Sequence, residues 1–238
     1  MKISMILGIF LACALVIVAG CQEKQEQTIN VQGISELKFE PDKAEIWVGV
    51  SIVNDTAENA QNEVNRIMNA IVDGLRYKGI ADKNMETEQI SIYEERTWTE
   101  KDGSKVVGWR ASQTLKVSTD DMTKIGSIVD VAVKNGANQI HSVNFGLTEE
   151  SESEYKKQAL ADAAKNAKEK AETLAESMGF NLGGVKTVSE GSFNYYPQRY
   201  AIDMDMAAGA EAVKEVSAIV PPSTVDVTAY VNAVYYIK

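Results

Sequence analysis

Cysteine, histidine and proline are scarce in this sequence, and their scarcity excludes several classes of protein. Two cysteines, Cys13 and Cys21, and one histidine, His141, are too few for a clustered zinc site. The sequence also lacks a P-loop, a GxSxG elbow, an HExxH pair and a CxxC pair. We therefore expect a protein that is not an enzyme and that holds no cofactor and no metal.

Runs of lysine and arginine are also missing, and the formal net charge is −10. Phosphate backbones and anionic lipid headgroups repel an acidic protein. The sequence therefore predicts no nucleic-acid partner, and a domain that does not lie on the membrane surface.

The long apolar run is confined to the N-terminus, where it follows the positive charge of Lys2. Residues 3–18 are apolar apart from Ser4, and small residues follow, which is typical of a secretory signal peptide. An uncleaved membrane anchor is an alternative, because the run approaches the ~20 residues that span a bilayer.

Cys21 distinguishes these interpretations, because Val18-Ala19-Gly20-Cys21 looks like the lipobox at which prokaryotic lipoproteins are cut and diacylated. A chance cysteine is the third option. We expect residues 1–20 to be a signal peptide, Cys21 to carry the lipid, and residues 21–28 to form a tether. The rest of the chain would lie outside the cytoplasm, in the periplasm or at the cell surface.

The periodicity of apolar residues predicts an α+β fold with an antiparallel sheet. The predicted order is a strand at 29–36, a strand at 44–54, a helix ending at Gly79, a hairpin with strands at 87–98 and 105–118, a second helix ending at Gly136, and a strand at 139–147. Asp55 and Glu58 form a cap-like pair before the first helix. From the second strand onward this is the βαββαβ pattern of ferredoxin-like proteins.

A long alanine-rich helix and C-terminal strands follow, and we expect them to form a second layer or subdomain. Ser151 and Glu154 predict a capping box at the start of this helix. Its predicted buried stripe is Leu160, Ala164, Ala167, Ala171, Leu174 and Met178. A short strand at 183–190, an irregular loop at about 191–223 and a last strand that closes the sheet complete the prediction.

The chain resembles the SIMPL domain family over about residues 28–238. The resemblance depends on "PDKAEIWVGV", "GWRASQTLKV", "NGANQI", "ALADAAKNAKEKAETLAESMGF" and "VPPSTVDVTAYVNAVYYI", which occur in the family's order. Trp109 and Pro222-Ser223 depart slightly from the family pattern. The resemblance implies an envelope location and, for some bacterial members, an association with oxidative-stress tolerance, but no reaction. On this basis residues 29–238 form one SIMPL-like domain.

Candidate site residues are few. Tyr195, Tyr196, Arg199 and Tyr200 are candidate interface residues, since tyrosine and arginine are enriched at interfaces; packing on their own sheet is the alternative. His141 could serve as a general base, although a lone strand histidine is more often structural. Asp203 and Asp205 could bind Ca²⁺, but no EF-hand-like ligand set continues from them.

Three functions follow as hypotheses. The first is a non-enzymatic lipoprotein, anchored through Cys21, that acts by contact with an unknown protein or by homo-oligomerisation. The second is a solute- or peptide-binding lipoprotein with a cleft under residues 195–206. The third is an enzyme that uses His141 with a nearby carboxylate.

Overall fold

The computed structural model describes residues 26–205 and 221–238, with the backbone alone for residues 200–205. In this part of the chain the elements are β1 Thr28–Phe39, β2 Lys43–Asn54, α1 Ala57–Tyr77, β3 Met85–Thr99, β4 Gly103–Thr119, α2 Ile125–Lys134, β5 Gln139–Gly146, α3 Glu149–Ser177, β6 Leu182–Tyr196, β7 Gln198–Asp205 and β8 Val225–Ile237. Two antiparallel sheets and three helices make the fold α+β, as predicted.

The predicted βαββαβ unit forms most of a five-stranded sheet with the order β3-β4-β2-β5-β7. Ala44, Ile46, Val48 and Val50 of β2 alternate onto the face that α1 and α2 cover, and all four are fully buried. Facing them, α1 buries Ala60, Val64, Ile71 and Leu75 at helical spacing. The first strand of the chain, β1, is not part of this sheet.

The start of α1 differs from the prediction. Thr56, not Asp55, is the N-cap: its hydroxyl oxygen accepts a hydrogen bond from the Asn59 N–H at 3.1 Å. Both residues are favoured at this position, and the sequence could not separate two adjacent candidates. The helix ends as predicted before Gly79, whose φ of +82° is a conformation that glycine adopts without strain.

The second layer is a three-stranded sheet with the order β1-β8-β6, covered by α3. The last strand, β8, does not close the predicted sheet but lies in the centre of this one. The buried stripe of α3 is also different from the prediction: it consists of Ala159, Ala163, Ala167, Ala171 and Ala175. Leu174 and Met178 are 45% and 63% exposed, so size was a poor guide to the buried face.

Glycine and alanine let α3 approach β1 closely. A Cβ atom at Gly33 would lie 2.6 Å from the Ala167 backbone nitrogen and closer still to the Ala163 carbonyl oxygen. The buried alanines repeat every four residues. Residues at this spacing form a row that is inclined to the helix axis, and helices commonly pack along such rows. Small residues on both surfaces thus set the distance between helix and sheet.

Side chains of α3 also cover the free edge of β1. The Ile34 N–H donates to Asn166 Oδ1 at 3.1 Å, and Lys170 Nζ donates to the Gln32 carbonyl oxygen at 2.9 Å. These backbone groups point away from β8 and would otherwise be free to pair with another strand.

The predicted capping box at Ser151 and Glu154 is wrong, because α3 begins earlier. Thr148 is the N-cap, and its hydroxyl accepts from the Ser151 N–H at 3.3 Å. The predicted irregular loop is wrong for residues 191–205, which belong to β6 and β7 apart from Pro197 between them. Residues 206–220 of that loop lie outside the described part of the chain.

Candidate functional site

A polar cleft lies on the open face of the five-stranded sheet, opposite the helices. Its volume is about 640 Å³, and Trp47, Tyr93, Ser112, Thr114, His141 and Arg199 are among the residues that line it. Because side chains of a strand alternate between the two faces, the strands that bury apolar residues under α1 and α2 present these residues to solvent. The cleft is therefore formed by residues of the strands and not by a loop.

A β-bulge in β5 places His141 in this cleft. Ile140 and Ser142 have register partners in β2 and in β7, and His141 lies between them as the extra residue. A bulge re-aims the side chain of the extra residue, so that His141 lies on the open face together with Ser142.

Gly49 makes room for the imidazole ring. A Cβ atom at Gly49 would lie 2.7 Å from His141 Nε2, which means that the ring covers the Gly49 backbone. His141 Nε2 is 3.5 Å from the Thr114 hydroxyl oxygen. Within the described residues His141 makes no hydrogen bond or ion pair with a carboxylate, which the third hypothesis requires.

The floor of the cleft consists of small hydroxyl side chains. Ser51, Ser112 and Ser91 stand side by side on β2, β4 and β3. The Ser112 hydroxyl donates to Ser51 Oγ at 2.9 Å, and Arg110 donates to the same oxygen at 3.1 Å. Small side chains between larger neighbours leave the depression open.

Most charges around the cleft are paired. Lys116 Nζ contacts Glu86 at 2.8 Å and Glu88 at 3.2 Å, and the hydrogen bond from Lys116 lowers the pKa of Glu86. Arg110 contacts Glu95 at 2.7 Å, and this hydrogen bond lowers the pKa of Glu95. The charged forms of Glu86 and Glu95 are thus stabilised.

Arg199 differs from these residues. It is an exposed residue of the edge strand β7 that lines the cleft, and it makes no ion pair with the residues that the structure describes. Within the described residues, the Arg199 guanidinium group is therefore available to meet an anion in the cleft.

The structure describes the side chains of three of the four candidate interface residues, and these three have different surroundings. Tyr195 packs on its own domain: its hydroxyl oxygen accepts from the Leu147 N–H at 2.6 Å, and burial raises its pKa. Tyr196 is 68% exposed, and Arg199 lies in the cleft. The side chain of Tyr200 lies outside the described part of the structure.

Asp42 joins the two layers, which the sequence did not reveal. It lies between β1 and β2, and its carboxylate accepts from the Thr148 N–H at 2.7 Å, from the Thr148 hydroxyl at 2.9 Å and from the Ser151 hydroxyl. Burial alone would raise the pKa of Asp42, but the hydrogen bonds from Ser151 and Thr148 outweigh it and lower the pKa. The start of α3 is thereby fixed to the β1–β2 connection.

An apolar surface on the β3–β4 hairpin was also missed. β2 ends where Asn54 pairs with Trp109, so that Gly103–Gly108 and the facing part of β3 continue as a two-stranded ribbon. The hairpin stripe, as we name it, lies on the helix-side face of the hairpin and consists of Ile90 and Ile92 beside β2 and of Trp98 and Val106 on the ribbon, which are 59%, 45%, 71% and 39% exposed. The ion pair between Arg96 and Glu94 lies between these two pairs of side chains. Alternation predicted the strands, but not that α1 would leave this end uncovered.

The remaining predicted residues add no site within the described chain. Cys21 lies outside it, as do the side chains of Asp203 and Asp205. Among the side chains that the structure describes, in residues 26–199 and 221–238, no group of three or more His, Cys, Asp or Glu could hold a metal ion. No helix of this part is long and apolar enough to cross a membrane.

Comparison with known proteins agrees with the resemblance seen in the sequence. The model of the family SIMPL, described as "Protein of unknown function (DUF541)", matches residues 29–235. The chain is 30% identical over 190 residues to the "26 kDa periplasmic immunogenic protein" of Brucella melitensis, covering 76% of this chain and 75% of that protein.

Two further relatives are more distant. "Uncharacterized protein YggE" of Edwardsiella ictaluri is 27% identical, covering 80% of this chain and 77% of that protein. The "Interleukin-1 receptor-associated kinase 1-binding protein 1 homolog" of Xenopus laevis is 22% identical, covering 88% of this chain and 79% of its own length. These alignments span most of both chains.

Proposed function

Because the chain belongs to the SIMPL family, which has a periplasmic member and no assigned reaction, we propose that it is a lipid-anchored envelope protein that acts by protein–protein contact and not by catalysis. The observation that carries the proposal is the hairpin stripe. Trp98 and Val106 stand on the ribbon that projects past the end of β2, and Ile90 and Ile92 lie on the same face of β3 beside β2; among the described residues all four stay between 39% and 71% exposed. Exposed apolar patches of this kind mark protein-interaction sites.

Location outside the cytoplasm is supported by the name of the Brucella protein and by the N-terminal sequence. The finer proposal is that a diacyl group on Cys21 anchors the chain. Its test is the Cys21→Ser variant, with Cys13→Ser as the matched control inside the apolar run. We expect Cys21→Ser to lose the lipid mass and leave the membrane fraction, and Cys13→Ser to retain both. Membrane retention of Cys21→Ser would refute the anchor.

The contact proposal is tested by replacing Trp98 with a photo-crosslinking amino acid in cells that produce the full chain. Tyr77, which is 89% exposed at the end of α1, is the matched control position. We expect a discrete protein adduct from position 98 that is absent from position 77. An adduct of twice the chain mass would identify a second copy, and any other mass a different protein. Equal yields at both positions would contradict the proposal.

A non-catalytic role is supported by the surroundings of His141, which has no carboxylate partner within the described chain. A part in oxidative-stress tolerance belongs to the proposal through the family resemblance alone. After cleavage, Cys21 would be the one cysteine of the chain, and its sulfur would carry lipid. Any such role would then act through contact, since a thiol pair for redox exchange would be missing.

A further inference from the structure

The cleft on the open face is separate from the hairpin stripe, because it lies on the opposite side of the same sheet. Its volume of about 640 Å³ is within the range of small-molecule sites, about 300–1,000 Å³. Protein contact through the hairpin stripe gives no reason for this cleft to hold an arginine that has no ion pair within the described residues.

The cleft extends along the strands as well as across them. On β4, the partner of Trp47 is Lys116 and the partner of Tyr93 is Arg110, which precedes Lys116 by six residues. At a rise of about 3.3 Å per residue, the two aromatic side chains are attached about 20 Å apart. An extended peptide of about five residues has this length.

The chemistry of the lining suits a peptide with a free C-terminus. Thr114, Ser112 and Ser91 place hydroxyl groups along the floor, where they can exchange hydrogen bonds with peptide N–H and C=O groups. Arg199 lies toward the Trp47 end, since it pairs with Asn144 just beyond Ser142. The guanidinium group binds carboxylates with two parallel hydrogen bonds.

Neighbouring charges strengthen this assignment. Lys116 pairs with Glu88, the carboxylate that lines the cleft, and Arg110 pairs with Glu95 beside Tyr93. Arg199 has no such partner in the described chain, so an anion at this end gains a charge-assisted hydrogen bond without displacing an existing ion pair.

We propose that the open-face cleft binds a short extended peptide, with its C-terminal carboxylate on Arg199 and a C-terminal aromatic side chain against Trp47. This inference does not depend on the contact function of the hairpin stripe.

The test uses the full lipidated chain in neutral detergent micelles, and saturation-transfer NMR to follow binding. The probes are the pentapeptide Ala-Ala-Ala-Ala-Phe with a free carboxylate and the same peptide as its C-terminal amide. We expect saturable binding of the acid with a Kd on the order of 1 mM or lower, and binding at least about tenfold weaker for the amide. The Arg199→Gln variant should weaken binding of the acid by a similar factor.

Two neighbouring positions on β3 give a matched pair of variants. Ser91→Phe fills the middle of the cleft and should abolish binding, whereas Ile92→Phe enlarges a side chain on the other face and should leave binding unchanged. Equal affinity for acid and amide, unchanged binding by Arg199→Gln, or no saturable binding of the acid would overturn the proposal. Crosslinking from position 98 should be the same in Arg199→Gln and in the unmodified chain, which separates the two functions.

Discussion

The contact between Gly33 and α3 makes a single methyl group destabilising. In Gly33→Ala the added Cβ would lie 2.6 Å from the Ala167 nitrogen and 2.8 Å from the Ala167 Cβ, with the Ala163 carbonyl oxygen nearer still. Two of these three atoms belong to the helix backbone, which cannot rotate away as a side chain can. Relief therefore requires α3 to move away from β1.

Overpacking of a core lowers the free energy of unfolding by about 1–3 kcal/mol, and we expect a value in the upper part of that range here. Replacing glycine by alanine in a strand returns about 0.5–1 kcal/mol through the lower entropy of the unfolded chain. The net loss is then about 2 kcal/mol. For a domain of this size, such a loss lowers the Tm by about 4–8 °C.

The assay is thermal and urea unfolding of the lipid-free mature chain, followed by circular dichroism. Gly126→Ala is the matched control, since Gly126 lies exposed in α2 and a Cβ there would meet nothing within 4 Å. The control should gain about 0.5–1 kcal/mol. A Gly33→Ala variant as stable as the unmodified chain would refute the close approach of helix and sheet.

Three other substitutions test the remaining contacts. Asp42→Asn should lower stability at neutral pH by about 1–2 kcal/mol. Because the folded-state pKa of Asp42 is lowered, this stabilisation is present above the unfolded value near 3.9 and is lost as pH falls through the folded value. The difference from the unmodified chain in urea titrations should thus shrink in acid, and a constant difference would contradict this. Tyr195→Phe leaves the buried Leu147 N–H unpaired and should cost about 1–3 kcal/mol in the same titration, so an unchanged urea midpoint would argue against the hydrogen bond. Replacing Asn166 and Lys170 together by alanine uncovers the β1 edge and should increase aggregation measured by light scattering, while Lys168→Ala on the solvent side should not.

The fold was largely predictable because alternation in the strands and helical spacing in α1 depend on local sequence. Ala44 to Val50 alternate without interruption, and Gly79 and Gly136 mark helix ends. Local patterns also explain the errors. Thr148 and Ser151 are both good caps, and the choice between them depends on Asp42, which is distant in sequence.

The candidate site was less predictable, because it depends on register between strands. His141 reaches the cleft through a bulge that only pairing with β2 and β7 reveals. The buried face of α3 was misassigned for a related reason: close approach to Gly33 selects alanine over leucine, contrary to the usual preference for burying large side chains. Residues 191–196 lack a clean period because β6 shifts its register against β8 between Glu190 and Phe193, and residues 198–205 lack one because β7 shifts its register against β5 between Ala201 and Met204.

The central position of β8 bears on the order in which the protein folds. β2 to β5 are contiguous in sequence, and their sheet, apart from β7, can form as soon as residue 146 has been made. The three-stranded sheet cannot, because Thr28 pairs with Tyr236, about 200 residues later, and among the described strands β6 pairs only with β8. Closing so long a loop is slow. Before β8 is synthesised there is no central strand for β1, β6 and the alanine face of α3 to pack on. We therefore expect the second layer to assemble last and in one step.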